Sequence, residues 1–196
     1  MNEALLAPPE RQAMNEAAPF VFAPPQGILS GRPKGAELLD ALMRHMLETP
    51  DDTVTPLDFS SVSFVDVSCA DEMLNKLLLR LRSGELGRRF VFLRNANMSV
   101  RETIEAVMQL RDLAVLMDDS GNAMLLGALK RPMQEALDVL VERKCATSAE
   151  VSSALDKNVN IVCNRLNALQ RMGLVCRQRD GSVSGGGRQY FYVSIL

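Results

Sequence analysis

TSAEVSSALDKNVNIVCNRLNALQRMGLV, residues 147–175, decides the architecture of the C-terminal part of this chain. Thr147-Ser-Ala-Glu150 has capping-box spacing, in which a Thr side chain and a Glu three residues on satisfy each other's backbone N–H groups. It opens a short helix carrying Val151, Ala154 and Leu155. Asp156 and Lys157 form a turn, and Asn158 is placed to cap a second helix, Val159–Met172. The buried stripe of that helix is Val162, Leu166 and Leu169, with Cys163 partly in it, and Gly173 closes it. Upstream, Pro132 suits the first turn of a helix running to Arg143, with Ala136, Leu137, Leu140 and Val141 buried. Downstream, Leu174–Arg179 and Arg188–Ser194 alternate as strands do, joined by a Gly/Ser-rich segment at 180–187.

Three helices followed by such a hairpin resemble the winged helix-turn-helix domains of MarR-type and ArsR-type regulators. The resemblance covers about 130–196 and rests on Thr147, Glu150, Val151 and Leu155, then Val162, Leu166, Leu169 and Gly173-Leu-Val175, then Arg177 and the wing. Lys157 departs from it, since such domains usually bury an apolar residue there, and a wetter turn is expected. The resemblance implies duplex DNA as a partner. A recognition helix must bury one face and offer polar side chains to base edges with the other. The outward face here carries Asn158, Asn160, Asn164 and Arg165. Asparagine pairs bidentately with adenine and arginine with guanine. Arg177, Arg179 and Arg188 flank the wing, where phosphates or the minor groove would lie. These seven residues are the expected DNA-binding set. Asparagine is a poor helix former, so Asn160, Asn164 and Asn167 are costly as mere solvation. The same face could instead meet protein, because fold does not fix function.

The N-terminal part alternates strands and helices. Residues 1–26 are rich in Ala and Pro and are expected as a flexible tail, with Phe20–Phe22 as a short first strand. Lys34–Glu48 has one apolar face, with His45 on the polar side. Val54–Phe59 is a strand and Ser60–Asp66 a loop or strand edge. Ser68-Cys-Ala-Asp71 has capping-box form, with Asp71 and Glu72 in the first turn, and opens a helix that Gly84 and Gly87 end. Arg89–Arg94 is a strand with an apolar centre, and Ser99-Val-Arg-Glu102 a further capping box before a helix. Leu113–Met117 and Ala123–Leu126 are strands about a turn at Asp118–Asn122. This order predicts helices against a mixed sheet.

Leu57-Asp-Phe-Ser-Ser-Val-Ser-Phe64, followed by Ser68-Cys-Ala-Asp-Glu72, resembles the STAS-like domains of prokaryotes, as does Gly31-Arg-Pro-Lys-Gly35 before the first long helix. This resemblance covers about 27–128. It implies a small α/β module that binds a partner protein. Many STAS domains proper are switched by phosphorylation of a serine just after an aspartate. Here Val67 follows Asp66, and Ser68, the nearest hydroxyl, reads as a helix cap.

The net charge of −2 conceals an asymmetry: 130–196 holds 10 Lys+Arg and 6 Asp+Glu, whereas 1–129 holds 12 and 18. A basic C-terminal part suits a polyanion. Together with the change of pattern between Gly127 and Pro132, this leads to the expectation that 130–196 folds by itself. The cysteines, at Cys69, Cys145, Cys163 and Cys176, form no Cys-x-x-Cys pair, and His45 is the only histidine, so no metal site, cofactor or histidine-based hydrolase is expected. The cysteines are expected to be reduced and mostly buried. Asp66, Asp71 and Glu72 suit strand-end and capping roles better than catalysis, and no enzyme is expected. No apolar run approaches the ~20 residues of a membrane span, and the N-terminus lacks the pattern of a secretory signal, so a cytoplasmic protein is expected. The sequence therefore points to an α/β (α+β) chain: a tail over 1–26, a STAS-like domain over 27–128 and a winged helix-turn-helix over 130–196. Its expected function is DNA-binding regulation, as a homodimer, with a protein partner for the first domain. The alternative is a partner-switching component whose winged helix binds protein.

Overall fold

Arg89–Arg94 is the hinge of the whole packing, because its side chains alternate between two cores. Val91 and Leu93 enter one, and Phe90 and Phe92 enter the other. The computed structural model describes residues 14–179 and 190–196, which form a mixed α/β fold. Its first eight strands are β1 (Asn15–Glu16), β2 (Phe20–Val21), β3 (Ile28–Leu29), β4 (Thr53–Asp58), β5 (Phe64–Val65), β6 (Arg89–Arg94), β7 (Ala114–Asp119) and β8 (Asn122–Gly127). Among the described residues six of these make one sheet, ordered β1-β4-β6-β7-β8, with β2 also on β4. All its pairings are parallel except β7 with β8, and β3 pairs with β5 in a separate parallel ribbon. No described helix is long and apolar enough to cross a membrane.

One face of the sheet is covered by α1 (Arg32–Leu47), α2 (Val67–Ala70), α3 (Lys76–Ser83) and α4 (Met98–Leu110). A π turn at Asp71–Asn75 joins α2 to α3. Leu42, Met46, Met73, Leu77 and Ile104 pack there with Leu57, Leu93 and Met117. The other face is covered by the C-terminal unit: α5 (Arg131–Arg143), β9 (Cys145–Thr147), α6 (Ser148–Leu155), α7 (Val159–Arg171), β10 (Val175–Arg179) and β11 (Tyr190–Ser194). Val54, Phe90, Phe92, Ala114 and Leu116 of the sheet share a core with Leu137, Leu140, Leu166, Leu174, Val193 and Ile195. A parallel sheet is stable only when both faces are covered, and here the two coverings come from different parts of the chain. The two units thus share a buried core across the sheet.

Several local expectations change. Asn15–Glu16, expected in the flexible tail, pairs in parallel with β4, as does the expected short strand at Phe20–Val21. His45, expected in solvent, lies with Nε2 2.9 Å from the Ala18 carbonyl oxygen and its ring edge-on to Phe20, fastening that segment to α1. The cap of α2 is Asp66, not Ser68. One Asp66 oxygen accepts from Cys69 N at 2.7 Å, and the other accepts from Gly31 N at 2.8 Å and from the Ser30 hydroxyl. Burial works to raise the Asp66 pKa, but these hydrogen bonds from Ser30, Cys69 and Gly31 prevail and hold the carboxyl below its ordinary range. Likewise Asn97, not Ser99, caps α4, accepting from Val100 N while its amide donates to the Val62 and Ser63 carbonyls. Asp71 and Glu72 hold cations rather than a helix start: Asp71 takes both ends of the Arg111 guanidinium, and Glu72 pairs with Arg32 and Lys76.

Two outcomes follow from this packing. Both tyrosines lie in the C-terminal unit and the chain has no Trp, so near-ultraviolet circular dichroism reports tyrosine packing there while far-ultraviolet dichroism reports the whole. Phe92→Ala, a change in the sheet, should cost about 3–5 kcal/mol and lower both midpoints together. An unmoved tyrosine transition would show that the units unfold separately. Asp66→Ala should cost about 1–3 kcal/mol in denaturant titration, through a lost cap and lost long-range bonds, whereas Ser68→Ala should stay within about 0.5 kcal/mol.

Candidate nucleic-acid interface

α6 begins with the capping box read from the sequence. Thr147 Oγ1 accepts from Glu150 N at 3.2 Å, and Glu150 Oε2 accepts from Thr147 N at 2.7 Å. The helix ends at Asp156, whose φ of 51° and ψ of 51° turn the chain out of it. Ser152 braces that turn, its hydroxyl donating to the Lys157 carbonyl and its own carbonyl accepting from Lys157 N. Lys157 itself is exposed, as its charge requires. Asn158 then caps α7, its Oδ1 accepting from Asn160 N at 2.9 Å.

The faces of α7 have distinct uses. Val162, Leu166 and Leu169 are buried. Asn160 and Asn164 are exposed, and neither side chain bonds another described residue. Two apolar side chains at the start of the helix are also exposed, Val159 at 42% and Ile161 at 50%. Ile161 stands off the Val162–Leu166–Leu169 stripe, whereas Val159 continues it into the first turn, where it is left partly uncovered.

One expected base reader lies elsewhere. Arg165 does not face outward. It lies over α5 with its side chain 17% exposed and Nη1 4.0 Å from Glu135 Oε2. A long side chain one position before Leu166 reaches the neighbouring helix more readily than it reaches solvent. Asn167 is internal: Oδ1 accepts from the Tyr192 hydroxyl at 2.9 Å and from Arg177 Nη1 at 3.3 Å, and its amide donates to Cys163 Sγ at 3.6 Å.

The antiparallel sheet ordered β10-β11-β9 lies beside α7. β9 was not anticipated, since three residues are too few for periodicity. Lys144 turns the chain into it with φ 63°, and Ser194 N donates to the Lys144 carbonyl. Arg177 is half-buried, its guanidinium carbon 4.7 Å from the centre of the Tyr190 ring as well as bonded to Asn167, which makes it a braced cation. Arg179 is exposed at the end of β10. Arg188 lies outside the described residues.

All four cysteines are free thiols, with Cys69 and Cys176 buried and Cys145 and Cys163 partly so. Burial, with Asp66 nearby, pushes the Cys69 thiol up to about 11, and burial with Asp52 nearby pushes Cys176 up to about 12. Both are therefore protonated packing groups at neutral pH. The described residues include no cluster of three or more His, Cys, Asp or Glu able to hold a metal ion. What the arrangement offers is a packed helix with exposed asparagine amides and two exposed apolar side chains at its start, with Arg179 exposed at the end of β10.

The different uses of the asparagines can be separated by stability. Asn167→Ala leaves the buried Tyr192 hydroxyl without its acceptor and should cost about 1–3 kcal/mol in urea titration. Asn164→Ala should be neutral or gain about 0.5 kcal/mol from helix propensity. A matching loss in both variants would mean that Asn164 is structural too.

No model of a known protein family matches the chain, and none of the curated proteins matches it either.

Proposed function

We propose that this chain is a DNA-binding regulatory protein, in which a C-terminal winged helix meets duplex DNA and an N-terminal STAS-like domain binds a protein partner or a second copy of the chain. The reading includes no enzymatic activity and no cofactor. The observation that carries it is the open face of α7, where Asn160 and Asn164 present exposed amides that bond no other described side chain, on a helix packed by α5, α6 and the sheet. Paired amide donors and acceptors on a helix are what adenine edges in a major groove recognise. The succession α5, β9, α6, α7, β10, β11 with a three-residue turn between α6 and α7 supports the winged-helix reading. Arg179 and Lys157 are the exposed cations at the margins of this face, and Arg177 orients the strand that bears Arg179. One such unit spans a short half-site, so specificity in this reading comes from a dimer.

A second reading draws on Val159 and Ile161. Two exposed apolar side chains at the start of the same helix suit a protein partner as well as thymine methyl groups. Fluorescence anisotropy of labelled duplexes, titrated with the full chain at about 50 and 200 mM salt, distinguishes the two. DNA binding requires affinity that falls with salt. Asn160→Ala and Asn164→Ala should each cost about 1–3 kcal/mol on a selected site and little on random duplex, and Arg179→Ala should lower the salt slope by about one unit. The Arg165→Ala variant should keep its base preference, because that side chain is turned toward Glu135. Absence of salt-dependent binding to any duplex, with loss of a protein partner on Ile161→Asp, would establish the second reading instead.

A further inference from the structure

A cavity of about 280 Å³ lies where the two units meet, away from the open face of α7. Its walls come from the end of α3, the turn before β6, the end of α7 and the start of β10. Five arginines line it, Arg82, Arg88, Arg89, Arg171 and Arg177, against one acid, Asp52.

Their bonds divide these arginines into two groups. Arg89 is fully engaged, donating to the Thr49 and Leu86 carbonyls and to Asp51. Arg177 is held by Asn167 and Tyr190. Arg88 pairs with Asp52, which also lies 3.8 Å from Cys176 Sγ. Arg82 and Arg171 are exposed and pair with no acid among the described residues. They come from different units, one at the end of α3 and one at the end of α7. Helix C-termini attract cations, each end carrying about half a negative charge. Two such ends account for about one unit of the positive charge, and Asp52 for another. A clear cationic excess is left inside a walled space.

We propose that this cavity binds a small phosphate- or carboxylate-bearing anion, which Arg82 holds from the first unit and Arg171 from the second. Guanidinium groups bind both anion types through paired N–H donors. The volume lies just below the ~300–1,000 Å³ of ordinary ligand pockets and fits a compact anion rather than a polymer. Arg171 is eleven residues along α7 from Asn160, about 16 Å at 1.5 Å per residue, so the anion is distinct from DNA at the open face. An occupant touching both units adds to the contact that the shared core already makes.

The test uses the full chain, with thermal unfolding and titration calorimetry in pyrophosphate, in citrate, and in sodium chloride matched for ionic strength. Pyrophosphate or citrate at tenfold above its Kd should raise the unfolding midpoint by about 3–5 °C beyond the chloride control. Pyrophosphate acting without citrate assigns the site to phosphates, and the reverse assigns it to carboxylates. Either result supports the proposal if Arg82→Ala/Arg171→Ala weakens binding at least tenfold while Arg143→Ala, outside the cavity, does not. Arg82→Lys/Arg171→Lys should fall between, since charge is kept and the fork is lost. The proposal is overturned if neither anion exceeds chloride, or if the double alanine variant responds as the parent does. It is also overturned if that variant loses only duplex affinity, which would make these arginines part of a DNA surface.

Discussion

The alternation of side chains along β6 is the constraint on which the rest depends. Phe90 and Phe92 point one way, Val91 and Leu93 the other, and each pair is buried. A strand that is apolar on both faces cannot rest with one face in water. The helices α1 to α4 satisfy one side, and α5 to β11 satisfy the other. The C-terminal unit is therefore a covering layer of the sheet as well as a module with its own helices. Its α7 is steadied from three directions: by α5 and α6 through Val162, Leu166 and Leu169, and by the β10–β11 pair through Asn167, Tyr192 and Arg177. A helix so held can present Asn160 and Asn164 in a constant orientation.

Much of this was legible in the sequence where the signal is local. The Thr147 capping box, the Asn158 cap, the strand Arg89–Arg94 and the glycine closures at Gly84 and Gly173 are settled within a few residues. The errors lie where a distant partner decides between two local solutions. Ser68 and Ser99 both have capping-box spacing, yet Asp66 and Asn97 are the caps. Each of these also bonds a remote segment, Asp66 to Ser30 and Gly31 and Asn97 to Val62 and Ser63, so the cap and the tertiary fastening are one interaction. No window along the chain shows this.

The candidate site was legible to the same degree. Which residues lie on α7 followed from periodicity, and the exposure of Asn160 and Asn164 agrees with that reading. The inward turn of Arg165 depends on Glu135, thirty residues away, and the role of Asn167 depends on Tyr192. Long or amphipathic side chains at the border of a helical stripe go where a partner waits, and spacing alone does not say which side that is. The contact between units had a sequence signal that was not used: RFVFLR is apolar without the alternation of a half-solvated strand, the signature of burial on both faces.

The shared core also sets an order of events during synthesis. The strands of the main sheet are complete once Gly127 has been made, but Val193 and Ile195, which help to cover its second face, come later. At ~5–20 residues per second the intervening stretch takes roughly 3–14 seconds to translate. Through that interval Phe90, Phe92 and Leu116 lack their covering layer on the ribosome. The face of the sheet that bears Phe90 and Phe92 thus has its full cover only after β11 has been made.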